Sequence, residues 1–154
     1  MKKCQFPKPL KLFIATPITG HIGRQSEITR LRCLVDTIDS FAQERGVVTW
    51  CAFREEGWTG EQDPSIYVPR DFNWTKECTG AIMIPQDSYG VRIELGWLIA
   101  FTKPVMRLHD TGISFKSGLD KNISNIGSVS DRIFTTISQL GDFVNEFIDF
   151  LEQK

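Results

Sequence analysis

The chain is poor in the residues that most often carry metal and redox chemistry. It has four cysteines, Cys4, Cys33, Cys51 and Cys78, and no two of them form a Cys-x-x-Cys pair. That spacing gives no support to a zinc site or a dithiol redox centre. It suits buried free thiols instead. Histidine is scarcer still, with only His21 and His109. A His-based metal centre or a Ser-His-Asp triad would have to use one of these two. Carboxylates are left as the expected carriers of chemistry, and no metal or organic cofactor is expected.

Charge of one sign is not in excess either. Eighteen basic residues stand against 19 acidic ones, a net charge of −1. This argues against an electrostatic nucleic-acid surface, although a local basic cluster suffices to hold one phosphate. No apolar run reaches the roughly 18 residues that a membrane span requires. The leading MKKCQFPKPLKLFIATP has basic residues, but Lys8 and Lys11 interrupt it and LFIA is too short for the apolar region of a secretory signal. The expectation is a cytoplasmic protein with a flexible segment over about residues 1–9.

What is present is an ordinary globular composition. The 154 residues are 41% hydrophobic and 24% charged, enough for one domain with a substantial core. LKLFIAT, Leu10 to Thr16, reads as a buried strand ended by Pro17. PITGHIGR follows as a loop. Ile28, Leu31, Leu34, Val35, Ile38, Phe41 and Ala42 then recur at helical spacing, with Ser26 placed as an N-cap and Gly46 as the stop. VVTWCAF, Val47 to Phe53, predicts a second strand, and Arg54 to Pro69 a long polar loop. A helix over about Arg70 to Cys78 leads to the strand GAIMIP. The loop Asp87–Gly90, a helix carrying Glu94 and the strand PVMRLH come next. Thr111 to Ser130 is rich in Gly, Ser and Asn. Arg132 to Thr136 predicts a fifth short strand, and a last helix spans about Ser138 to Gln153.

Strand and helix alternate throughout. The expected fold is a single α/β domain, doubly wound, with a five-stranded, mainly parallel sheet and helices on both faces, Rossmann- or flavodoxin-like. Ligands of such sheets bind beyond the carboxyl ends of the strands, at the switch point. The loops PITGHIGR, REEGWTG and PQDSYG all leave strand carboxyl ends and would meet there.

Two acids belong near that edge. Glu94 falls near the first turn of its helix, where the dipole favours a charged carboxylate. It suits an ionised nucleophile facing a cleft, and equally a dipole-complementing Glu. Asp71 follows Pro69 and opens its helix, as a partner acid or as an N-cap. A carboxyl pair of this kind is what glycosidic-bond cleavage uses: one attacks or stabilises the oxocarbenium-like centre and the other protonates the leaving group. Ser88, with Gly90 in the same turn, offers a hydroxyl and backbone N–H groups to a phosphate, or serves as a plain N-cap.

Taken together these pieces resemble the nucleoside 2-deoxyribosyltransferase-like superfamily, from LFIATPITG to the last helix. The most specific stretch is RDFNWTKECTGAIMIPQDSYGVRIELGWLIAFTKPV. The resemblance implies that Glu94 is the nucleophile and Asp71 the acid near the leaving base. Ser88 stands where the deoxynucleotide N-hydrolases have a phosphate-binding Ser. SGLDKN resembles the segment that brings a second hydroxyl, here Ser117, from the other subunit of a homodimer. FREEGWTGE, FIATP and SGL are more similar still to the cytidylate and hydroxymethyl-cytidylate N-glycosidases. That likeness implies a sugar and base site built from Phe13, Pro17, Ile18, Arg24, Phe53, Arg54 and Trp58, with Glu55 beside them. Trp58 or Phe53 would stack on the base, and Arg24 and Arg54 would contact phosphate or base. Core packing and solvated charges are the alternatives for these four. The deoxynucleotide hydrolases have a Tyr where this chain has Phe13. The lost hydroxyl implies room for a ribose, or a weaker nucleophile. The implied activity is hydrolysis of a pyrimidine nucleoside 5′-monophosphate to free base and ribose 5-phosphate. Base exchange and a non-catalytic nucleotide-binding protein are the alternatives.

Overall fold

Successive residues of the first strand point to opposite faces, and both faces are covered. Leu12 and Ile14 enter one core, while Phe13 and Ala15 enter another. The computed structural model describes residues 8–18, 23–60, 63–85, 88–110 and 122–154. Strand β1 (Lys11–Ala15) leads to helix α1 (Gln25–Glu44), β2 (Val48–Trp50) and the one-turn helix α2 (Ala52–Glu55). Then come α3 (Pro64–Glu77), β3 (Gly80–Met83), α4 (Tyr89–Ala100) and β4 (Val105–Asp110). A 3₁₀ turn (Ile123–Asn125), β5 (Val129–Phe134) and α5 (Ile137–Glu152) complete the order.

The five strands form one sheet in the order β2-β1-β3-β4-β5, and every pairing is parallel. From β1 the chain steps outward to β2, and from β3 it steps the other way to β4. The direction therefore switches between β1 and β3, the point at which sheets of this kind bind their ligands. This is the doubly wound α/β fold that the alternation of elements predicts.

Helices α1 and α5 pack on one face, with Leu31, Val35, Ile38, Leu140, Val144 and Ile148 buried against Leu12, Ile14 and Ile82. The approach is close: a Cβ on Gly141 of α5 would lie 2.5 Å from the Phe41 ring. The other face carries α3 and α4. There Val91, Leu95 and Leu98 cover Phe13, Ala81 and Met83.

Three element boundaries differ from the sequence expectation. Strand β2 ends at Trp50, and Ala52 and Phe53 belong to α2; an apolar run this short does not distinguish strand from buried helix. Helix α3 starts at Pro64 and not near Arg70. Asp63 caps it, its side chain accepting from the Ser65 N–H at 2.9 Å, with Pro64 at the first helical position. Pro69 lies inside the helix, where it has no N–H to donate to the carbonyl four residues back. Strand β5 begins at Val129, three residues before the expected Arg132. Among the described residues no helix is long and apolar enough to cross a membrane.

Candidate active site

The chemistry gathers on the α3–α4 face, at the side of the switch point. Glu94 is the sixth residue of α4, so it sits in the second turn rather than the first. The helix dipole acts within the first turn, and it does not hold this carboxylate charged. Glu94 is instead buried, at 9% exposure, and its Oε2 has no hydrogen-bond partner. Burial pushes its pKa well above the ordinary 4.5, and the charges of Asp71 and Glu56 push it further the same way. Burial and the two neighbouring acids thus work against the ionised Glu94 expected from the sequence, and the helix dipole does not offset them.

Asp71 is the eighth residue of α3 and is no N-cap. It is buried, and burial raises its pKa from 3.8 to about 6, while its bond to Arg70 works against the rise. Two acids whose pKa values both rise in one charge cluster titrate as a coupled pair.

Two residues of the cluster escaped the sequence reading. Arg70 donates from Nε to Asp71 Oδ1 at 2.9 Å and from Nη2 to Glu56 Oε1 at 2.9 Å. Its guanidinium lies 5.2 Å from the centre of the Trp50 ring. Trp50 in turn is stacked between Phe13, at 5.4 Å, and Trp74, at 5.2 Å. Glu56 replaces Glu55 as the acid that FREEGWTGE brings to the site. Glu55 is exposed and pairs with Arg54. The signal available was the pair of consecutive acids, whose register the short helix α2 decides.

Ser88 occupies the N-cap position of α4, with extended backbone, and is buried. Its hydroxyl makes no capping bond, so the hydroxyl and the first N–H groups of the helix are available to an anion. Gly90 is exposed beside it; a Cβ there would lie 3.8 Å from the Ser88 hydroxyl. Pro17 is buried at the carboxyl end of β1, and Ile18 packs against both cores there. Arg24 is exposed at the N-cap of α1.

The remaining candidates lie elsewhere. Phe13 is fully buried in the aromatic column under Arg70. Phe53 is fully buried in the α1 core, where its ring meets Trp58 at 5.2 Å. The Trp58 ring also receives Arg32 of α1 at 6.0 Å. Arg54 donates to the Thr49 carbonyl at 3.1 Å and pairs with Asp39 of α1 at 3.3 Å. These three residues therefore brace α2 against α1, and are not gathered with Glu94 and Asp71. Ser117 and His21 lie outside the described residues.

No family model matches the chain, and no curated protein matches it by sequence. Solved structures match it by fold. A CMP N-glycosidase of Clostridium botulinum, BcmB, superposes with a TM-score of 0.67 at 19% identity, covering 89% of this chain and 98% of that one. BlsM superposes with a TM-score of 0.74 at 21% identity, covering 92% and 90% of the two chains. A 2-deoxyribosyltransferase from Bacillus psychrosaccharolyticus gives 0.54 at 17% identity, covering 85% and 90%. The chain has the fold that these proteins share, which is the fold implied by the motifs it carries.

Proposed function

We propose that the chain hydrolyses the N-glycosidic bond of a nucleoside 5′-monophosphate, a pyrimidine nucleotide such as CMP or hydroxymethyl-CMP, to free base and ribose 5-phosphate. The observation that carries this reading is the unpartnered, buried Glu94 oxygen beside Asp71. A site that leaves a carboxylate oxygen without a partner is poised for a positive centre that arrives with the substrate. An oxocarbenium-like C1′ is such a centre.

The steps follow from the charges. Ser88 and the N-terminal N–H groups of α4 hold the 5′-phosphate, and Ser117 of a second copy of the chain completes that subsite in a homodimer. As the bond from C1′ to the base lengthens, positive charge on the sugar favours ionised Glu94, which attacks or stabilises C1′. The departing base takes one proton from the Asp71–Glu94 pair. Water then adds its hydroxyl to C1′ and returns a proton to the pair, so the site closes its cycle unchanged. The phenyl ring of Phe13 brings no hydroxyl to this pair, and the reading therefore includes ribose as well as deoxyribose.

Chromatography of free base from a panel of nucleoside monophosphates tests the proposal. CMP or a close analogue should release base, and a strong preference for dCMP over CMP would overturn the ribose assignment. The match to a 2-deoxyribosyltransferase favours a second reading, base exchange. A deoxynucleoside and a second free base separate the two: exchange product marks transfer, free sugar marks hydrolysis.

A further inference from the structure

We propose that Glu56 is a positioning residue of this site: it anchors the Arg70 guanidinium, and Arg70 so anchored holds the Asp71 carboxylate in place beside Glu94. The proposal rests on the glycosidase reading for its catalytic meaning, but its geometry stands on its own.

Arg70 and Asp71 are neighbours in α3, and adjacent helical residues project about 100° apart and do not face each other. The 2.9 Å bond from Arg70 Nε to Asp71 Oδ1 therefore needs the arginine side chain turned back along its own helix. Among the described residues, Trp50 and Glu56 hold it in that turn. The Trp50 ring supports the flat of the guanidinium at 5.2 Å. Glu56 accepts from its Nη2 at 2.9 Å. The Glu56 side chain is only 3% exposed, so this is not a solvent-screened surface pair. With Oδ1 of Asp71 taken by Arg70, the acid cannot swing freely, and Oδ2 is left outside the bond for chemistry.

The chain makes a costly turn to put Glu56 there. Gly57 and Trp58 follow it, both at φ 64°. The left-handed region costs a non-glycine residue about 1–2 kcal/mol. Packing of the Trp58 ring on Phe53 holds that conformation. The turn sends Glu56 to the α3 face and Trp58 to the α1 face.

Among the described residues, the charged groups that meet here are Glu56 from the end of α2, Arg70 and Asp71 from α3, and Glu94 from α4. The test compares Glu56→Ala with Glu56→Gln. The glutamine keeps an oxygen for Arg70; alanine does not. Two readouts are taken: the Arg70 Nε–H resonance in ¹⁵N-labelled protein, and kcat against KM for base release. The expected result is a distinct, slowly exchanging Nε–H in wild type and Glu56→Gln, lost in Glu56→Ala. In parallel, kcat falls roughly 10- to 100-fold in Glu56→Ala with KM within about twofold, and Glu56→Gln restores most of it. An unaltered Nε–H resonance in Glu56→Ala overturns the proposal, as does an equal loss of kcat in both variants. Should Glu56→Ala fail to fold, loss of the resonance in a folded Glu56→Gln would overturn it equally. Wild-type protein that released no base would end the glycosidase reading, while the Nε–H resonance would still decide the anchor.

Discussion

Two clusters of buried charge can be set side by side. At the β4–β5 edge, Arg107 is 2% exposed and donates from Nε and Nη2 to the two oxygens of Asp131 at 2.7 and 2.8 Å. His109 Nε2 stands 2.7 Å from Asp131 Oδ1. On the α3–α4 side, among the described residues, Arg70 binds two acids, Asp71 and Glu56, and a third acid, Glu94, has an orphaned oxygen. The first cluster has a bidentate guanidinium to match its acid. Burial works against the charged Asp131, yet the bonds from Arg107 and His109 hold its pKa below the usual carboxylate range. The second has more acid than cation, and both Asp71 and Glu94 move up. A balanced cluster stabilises the fold; an unbalanced one stores a deficit that only a ligand removes.

Experiments can break or sharpen that contrast. The largest effect is expected at Glu94. Glu94→Ala should lower base release by roughly 10³-fold or more while nucleotide binding, measured by calorimetry, is retained. Undiminished release would remove Glu94 as the nucleophile. Next comes Asp131→Ala, which takes the bidentate partner from a buried guanidinium and should cost about 3 kcal/mol of stability, read by denaturant unfolding. The equivalent loss at the other cluster should be absent: Glu94→Gln should leave stability equal or higher at pH 8.

Ser88→Ala follows, with KM for the nucleotide raised roughly tenfold and turnover of the unphosphorylated nucleoside unchanged.

The smallest effect is the pH dependence of folding, and its sign differs between the clusters. Glu94 and Asp71 have folded pKa values above their ordinary 4.5 and 3.8. Their contribution is fully present below those values and is lost as pH rises, for Asp71 through about 6. Asp131 is depressed below its ordinary 3.8, so its contribution is present above that value and is lost as pH falls. The melting temperature of Glu94→Gln should therefore decline less between about pH 5 and pH 8 than that of wild type. Asp131→Asn should flatten only the acid side.

The sheet was legible in the sequence because its signals are local. The apolar runs of β1, β3 and β4 and the 3.6-residue spacing in α1 and α5 need no knowledge of the rest of the chain. The start of α3 was also written locally, in Asp63–Pro64, but Pro69 masked it by looking like a stop. The site was legible in part. Ser88 opens its helix as the sequence suggests, while Glu94 and Asp71 lie deeper in theirs than expected, in the second turn of α4 and at the eighth residue of α3. Glu56 and Arg70 did not stand out, because each gains its meaning from a partner 14 residues away. The upward pull on the Glu94 pKa did not show in the sequence for the same reason. A helix dipole can be inferred from neighbours in sequence, whereas burial depends on what α3 and α2 lay over the side chain.

The stack of Phe13, Trp50 and Trp74, with Arg70 resting on it, gives the molecule its own optical gauge. Indole emission shifts with the field of a nearby charge. A ligand that draws Arg70 toward a phosphate or a base would change the colour of Trp50 without any label attached. Occupancy of the cleft can then be followed by intrinsic fluorescence, even in variants that no longer turn over.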